Sequence, residues 1–367
     1  MPTIDIESLS KNFGKVKAVT DAELHIMDKE YVVILGPSGC GKTTLLNLLA
    51  GIIKPTKGSI LINGRDVTNE TVENRELSFV FQNIALFPHM NLKENAGYSP
   101  FVKGQNSEEV DTIAKESLEL VDLLDLQNEY PERLPSGFQQ KTSLARAIST
   151  NAKLMILDEP ISALDPEVRL RLRFKLRDLI KKLGLTAIHV THDQDIAMSI
   201  ADKIILMKAG KIIRFGSPQQ MYNEPEHIFE AFFVGEGNFL PGTIIDQTEK
   251  DIILQLKNKS LIIKKRVDAK YFNNGTQIIL FARPENTFLT SKRTDNCISG
   301  IITSKTLMNG FYRYEVETST EDKILVDITL AKAPFSLSEA VFVKFKSKTT
   351  IIFEMPEKGL EEEMKLE

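Results

Sequence analysis

Residues Gly36, Pro37, Ser38, Gly39, Cys40, Gly41, Lys42, Thr43 and Thr44 have the types and spacing needed to hold a polyphosphate. The glycines permit a backbone folded tightly enough to aim successive N–H groups into one concavity. Lys42 supplies a cation for the β- and γ-phosphates, and Thr43 places a hydroxyl where Mg²⁺ is ligated. The pattern reads as a nucleoside triphosphate site. Further along, Asp158 and Glu159 pair two carboxylates. Asp158 suits Mg²⁺ held through its water shell, and Glu159 suits polarising the water that attacks the γ-phosphate. Gln82 can reach that metal and that water, His192 can serve the γ-phosphate as donor and sensor, and Phe13 can stack on a purine base. Taken singly, these three are a loop glutamine, a structural histidine and a core aromatic. Their order around a complete phosphate loop favours chemistry.

Buried strands must deliver these groups. Tyr31-Val32-Val33-Ile34-Leu35 precedes the glycine-rich turn, and Leu45-Leu46-Asn47-Leu48-Leu49-Ala50 follows it as a helix whose N-terminal dipole favours an anion. Leu77-Ser78-Phe79-Val80-Phe81 ends at Gln82, Leu154-Met155-Ile156-Leu157 ends at Asp158, and Thr186-Ala187-Ile188-His189-Val190-Thr191 ends at His192. Short continuous apolar runs of this kind describe parallel strands whose C-terminal ends open on one site. The fold class expected is α/β, a phosphate-loop cassette with a helical subdomain, followed by an all-β domain.

Composition narrows the rest. The 367 residues call for more than one core. A net charge of −4 offers no electrostatic case for nucleic acid, which is not expected as a partner. Cys40 and Cys297 are the sole cysteines, so no disulfide framework exists and a reducing compartment fits. Cys40 reads as a small filler side chain in the loop. No basic-then-apolar leader opens the chain, and no run approaches the ~18 apolar residues of a membrane span. A cytosolic subunit is expected, with any membrane role exerted through a partner.

Taken in order, 3–9 and 21–27 read as strands, and residues 83–150 read as helical. Asn106-Ser107-Glu108-Glu109 marks a helix start, and a second helix is expected near Gln139 after the turn Leu134-Pro135-Ser136-Gly137-Phe138. The run 167–182 is a basic amphipathic helix with a solvated face. A hairpin is expected around Ala209-Gly210. Near Gly235 helical periodicity gives way to short strands at 240–246, 251–256, 260–264, 277–282, 298–304, 311–317, 323–327, 341–345 and 349–354. The expected domains are therefore 1–235, an all-β region at 236–357 built as one or two five-stranded barrels, and a charged, frayed tail at 358–367.

With these residues in place, the chain resembles the ATP-binding subunits of ATP-binding-cassette importers over essentially its whole length. Gly36–Thr44 matches the Walker A motif, Gln82 the Q-loop, Leu154–Glu159 Walker B, Ser162–Asp165 the D-loop and His192 the switch histidine. Residues 236–357 look like the oligonucleotide-binding-fold (TOBE-type) extension of the maltose, polyamine, ferric-iron, sulfate and molybdate branch. Gly235–Gly242 and Arg283-Pro284-Glu285 look most like the ferric-iron and polyamine members. The resemblance implies ATP and Mg²⁺ as ligands, an ATPase reaction, and a second, identical cassette meeting the first head to tail. It also implies permease subunits in the membrane and, indirectly, a solute-binding protein. The cassette would sit peripherally on the cytoplasmic face of the membrane. Asp165, and Ser136 and Gly137 of the signature turn, are by resemblance nucleotide contacts, the latter two in trans. Leu86-Phe87-Pro88-His89-Met90 matches the segment beside the permease coupling helix.

One motif departs from the family. The signature is Leu-Ser-Gly-Gly-Gln, and here Pro135 stands at the serine position, Ser136 at a glycine and Phe138 at the glutamine. That departure motivates a rival reading, an ATP-dependent regulatory or slowly hydrolysing cassette. A translation-type factor would carry two cassettes, and a DNA-repair ATPase would insert a long coiled coil between Lys42 and Asp158. Neither feature is present.

Overall fold

The computed structural model describes residues 3–162, 164, 166–249, 251–257, 259–264, 272–293, 296–319, 321–332 and 334–366. Asp165 therefore lies outside the described residues. The chain divides into two compact units, with the break in sequence between Gln219 and Gln220.

The first unit opens with a hairpin, β1 (Ile4–Phe13) and β2 (Val16–Ile26), turning at Gly14. Both strands are longer than the sequence pattern suggests. Register shifts between Ile6 and Leu9, and again between Leu9 and Lys11, let the ladder continue through a polar stretch. Next come β3 (Tyr31–Leu35), α1 (Lys42–Ala50), β4 (Lys57–Ile62) and β5 (Arg65–Asp66). β6 (Leu77–Val80) precedes four helices: α2 (Leu92–Ala96), α3 (Tyr98–Val102), α4 (Ser107–Glu119) and α5 (Ser136–Ile148). Asn106 and Glu109 close a reciprocal capping box on α4, as the sequence suggests. α5 begins three residues earlier than expected, because Pro135 ends the extended approach and needs no N–H at an N-cap.

β7 (Leu154–Asp158), α6 (Pro166–Lys182), β8 (Thr186–Val190), α7 (Gln194–Ile200), β9 (Lys203–Lys208) and β10 (Lys211–Gly216) complete the unit. Its main sheet runs β10-β9-β3-β8-β7-β6, parallel throughout except for the β9–β10 hairpin. A second, antiparallel sheet runs β2-β1-β4-β5. The apolar core lies around α1: Leu45, Leu46, Leu48 and Leu49 pack with Ile34, Ile156 and Ile188 of the main sheet and with Ile6 and Ile60 of the second. Strands buried on both faces account for the unbroken apolar runs that made them legible.

The second unit, Gln220–Lys365, starts ahead of the change of sequence pattern at Gly235. α8 (Pro218–Asn223) and α9 (Ile228–Val234) lead into β11 (Asn238–Gln247), β12 (Asp251–Leu256), β13 (Lys259–Lys264) and β14 (Gln277–Ala282). β15 (Thr287–Thr290), β16 (Ile298–Leu307), β17 (Phe311–Thr318), β18 (Lys323–Thr329), β19 (Ala340–Phe345), β20 (Ile351–Glu354) and α10 (Leu360–Met364) follow. Two five-stranded sheets, β13-β12-β11-β14-β20 and β15-β19-β16-β17-β18, enclose one core, with Leu240, Leu254 and Leu280 meeting Ile302, Val316 and Val343. A smaller cluster explains the early start: Ile228 and Ala231 of α9 pack on Ile279, Phe281 and Phe353. The Arg283 guanidinium fastens the same segment, donating to the carbonyls of Tyr222, Ala231, Gly235 and Glu236. β15 was not anticipated. The charged tail is also not simply frayed, since Leu360 and Met364 of α10 pack against that smaller cluster.

Candidate active site

Register in the main sheet assembles the site. Ile34 pairs with Val190 on one side and Ile205 on the other, Asp158 pairs with Val190, and Val80 pairs with Leu157. β3, β8, β7 and β6 therefore end together, and the residues just beyond them share one edge: the 36–44 loop, Thr191-His192, Glu159 and Gln82. This is the edge where ligands bind parallel sheets.

The loop is tight. A Cβ on Gly36 would stand 2.3 Å from the Met207 carbonyl oxygen, and one on Gly41, at φ +108°, would stand 2.2 Å from that of Ala18. Side chains at either position would push the loop off the strands behind it. Lys42 is 8% exposed, and its Nζ donates to the carbonyls of Gly36 at 2.8 Å and Pro37 at 2.7 Å. Among the described residues no carboxylate pairs with it, so a buried ammonium rests on neutral oxygens. Such a charge is suited to an anion. The N–H groups of Gly41 and Thr43, at the start of α1, have no backbone acceptor among the described residues. Thr43 is exposed at the mouth of the loop. Cys40 is 4% exposed, and burial raises its thiol pKa, as a filler side chain requires.

Opposite the loop, Glu159 accepts from Gln82 Nε2 at 3.3 Å through Oε2 and lies 3.1 Å from His192 Nδ1 through Oε1. Three residues drawn from distant parts of the chain thus form one cluster. Glu159 itself sits in the left-handed region at φ +46°. Its N–H donates to Val190 O at 3.0 Å, and its carbonyl accepts the N–H and hydroxyl of Ser162 at 3.2 and 3.0 Å. Such a backbone costs of order 1–3 kcal/mol and persists only when its surroundings hold it. Asp158 is buried, and burial first, then the adjacent Glu159 charge, raises its carboxyl pKa, with Lys42 drawing it back. A buried carboxylate at the end of β7 would suit a divalent cation bound with the phosphates, while Glu159 keeps its contacts to Gln82 and His192.

Other expected groups stay apart. Phe13 is half-exposed at the end of β1, with Lys11 Nζ 5.0 Å from its ring centre. Ser136 and Gly137 begin α5, and no hydrogen bond joins either to the phosphate loop among the described residues. The N-cap, Pro135, provides no side-chain acceptor, while Phe138 is 37% exposed beside it. A trans role for this turn needs a second cassette.

Arg75 was missed by sequence reasoning. It is 2% exposed and donates to the carbonyls of Leu48, Leu49, Thr68 and Glu70, closing the C-terminal end of the helix that carries Lys42. A single arginine in a polar stretch gives no signal of this.

The family described as ABC transporter matches residues 19–162. The chain is 36% identical over 346 residues to the Fe(3+) ions import ATP-binding protein FbpC of Brucella abortus, covering 94% of this chain and 96% of that one. It is 37% identical over 331 residues to Fe(3+) ions import ATP-binding protein FbpC 1 of Rhizobium meliloti, covering 90% and 92%. A solved dimeric ATP-binding cassette in a post-hydrolysis state, bound to ADP and Pi, aligns with a TM-score of 0.53 at 30% identity over 59% of this chain and 98% of that one. Similarity sustained along nearly the full length of such relatives means that the chain belongs to the ATP-binding-cassette family, as the ATP-binding, ATP-hydrolysing subunit of an importer.

Proposed function

We propose that this subunit powers uptake of ferric iron through partner membrane permeases. One observation carries the choice of solute: relatives named for Fe(3+) import match 94% of the chain at 36% identity. Two copies of the cassette meet head to tail around two ATP molecules, each held between the 36–44 loop of one copy and the α5 N-terminus, with Ser136 and Gly137, of the other. Phe13 stacks on the base, and the D-loop residue Asp165 contributes a nucleotide contact. A solute-binding protein on the far side delivers the cation, and the cassettes sit peripherally on the cytoplasmic face. Among the described residues no helix is long and apolar enough to cross a membrane.

When bound, MgATP brings the γ-phosphoryl group and neutralises part of its charge. Thr43, Gln82 and Asp158 hold the metal. Lys42 exchanges its two carbonyl partners for phosphate oxygens. Glu159 draws the proton of the attacking water, and His192, already against Glu159, fixes the carboxylate and senses the phosphate. Closure is passed to the permease through the Leu86–Met90 segment. Fully buried Asn95 braces that segment, donating to Phe87 O and Met90 O at 3.0 Å each and accepting from Phe87 N at 2.9 Å.

Vesicles carrying the permease and this chain test the reading. ATP-dependent uptake of labelled ferric iron is expected, abolished by Glu159→Gln while ATP binding and an ATP-bound dimer persist. Transport of a polyamine but not iron would overturn the solute, and hydrolysis at the wild-type rate by Glu159→Gln would overturn the site. ATP binding that controls another protein without driving uptake would favour the regulatory reading that Pro135 motivates.

A further inference from the structure

Arg169 lies in the first turn of α6 and belongs to none of the motifs above. Its Nη2 donates to two carbonyls, Ser162 O and Leu164 O, at 2.9 Å each, and its Nη1 stands 3.8 Å from Asp193 Oδ2. These partners sit on two separate turns. Ser162 is the residue whose N–H and hydroxyl both grip the Glu159 carbonyl. Asp193 directly follows His192, donates its N–H to Thr191 Oγ1 at 3.1 Å, and caps α7 by accepting the Ile196 N–H at 3.0 Å. One guanidinium therefore spans the turn behind Glu159 and the turn that presents His192.

We propose that Arg169 is a positioning residue, which sets the Glu159–His192 geometry from behind without touching nucleotide. Glu159 occupies a left-handed backbone conformation and depends on the Ser162 anchor to stay there. The anchor in turn depends on the carbonyls at 162 and 164 being held. Arginine suits the task because its planar fork serves both carbonyls and still leaves a nitrogen for Asp193, whereas a lysine is a point charge. Loss of the fork lets the two turns drift apart, and an ångström of misplacement at a reacting group is enough to slow the chemical step.

The proposal rests on Glu159 as the group that polarises water, so the test carries that residue along. ATPase kinetics of the full chain are measured for wild type, Arg169→Lys, Arg169→Ala and Glu159→Gln, with a melting temperature for each. Arg169→Ala is expected to lower kcat by about 10- to 100-fold, with KM for ATP within about threefold of wild type. Arg169→Lys is expected to melt like wild type yet keep most of the kcat loss. Full kcat in Arg169→Lys would overturn the proposal, since charge alone would then suffice. So would a loss in Arg169→Ala that lies wholly in KM. If Arg169→Ala does not fold, kcat of Arg169→Lys decides by itself. Wild-type hydrolysis by Glu159→Gln would sink the site reading, whereas an inactive Glu159→Gln beside fully active Arg169 variants would sink only the assignment of Arg169.

Discussion

Pro135 stands where the family's signature has a serine, and its consequences are local. At the N-cap of α5, with φ −54° and ψ 153°, it leaves the helix without a side-chain acceptor. A serine there would supply the usual cap, worth about 0.5–2 kcal/mol, and a hydroxyl aimed at a phosphate in trans. Pro135→Ser should therefore raise the melting temperature and speed ATP turnover together. A stability gain with unchanged turnover would confine Pro135 to a capping defect. Residues of this kind show how legibility divides. Asp158, Glu159 and His192 were readable because each closely follows a short apolar run, and Lys42 because it sits in a glycine-rich turn between two such runs. Arg75 and Arg169 were not, because each works through backbone carbonyls, and an acceptor that every residue owns leaves no pattern in the sequence.

Among the elements, β8 contains a buried ionisable group that catalysis does not use. His189 is fully buried, with the Tyr31 hydroxyl 2.9 Å from Nδ1 and, among the described residues, no partner for Nε2. Burial pushes its pKa down to about 3. An unfolded histidine binds its proton near pH 6.5. Between those values the unfolded chain holds one proton more than the folded one, so stability falls as pH falls, by up to about 1.4 kcal/mol per pH unit. His189→Gln should flatten that slope, seen as a smaller drop in urea midpoint between pH 6.5 and 5 than in wild type. Equal drops would show that His189 does not titrate on unfolding. The neighbouring strands were easy to read for the reason that makes His189 costly, namely burial on both faces. The β1–β2 ladder was harder, because its bulges break the alternation that marks a strand.

At the scale of the whole molecule, the unit boundary changes what a useful truncation is. Ending the chain at Gly235 strands α9, whose Ile228 and Ala231 pack on Ile279, Phe281 and Phe353. Ending it at Gln219 removes that exposed apolar face. The chain 1–219 should stay monodisperse and bind ATP, while 1–235 should bind ATP but self-associate, as light scattering would reveal. Similar scattering from both would mean that α9 finds cover without the β domain. The pattern change at Gly235 was real in the sequence, but it marked where strands begin, and packing had already begun with the helices before them. Strand order has a consequence in time as well. The strand that carries the phosphate loop, β3, is flanked in the finished sheet by β8 and β9, both encoded far downstream. At 5–20 residues per second a ribosome needs roughly 8–30 s to pass from Leu35 to Thr186. Through that interval Tyr31-Val32-Val33-Ile34-Leu35 has no partner in its own sheet. Nucleotide binding is thus among the last properties the growing cassette acquires, and the most apolar stretch of the site is the one left longest without its sheet partners.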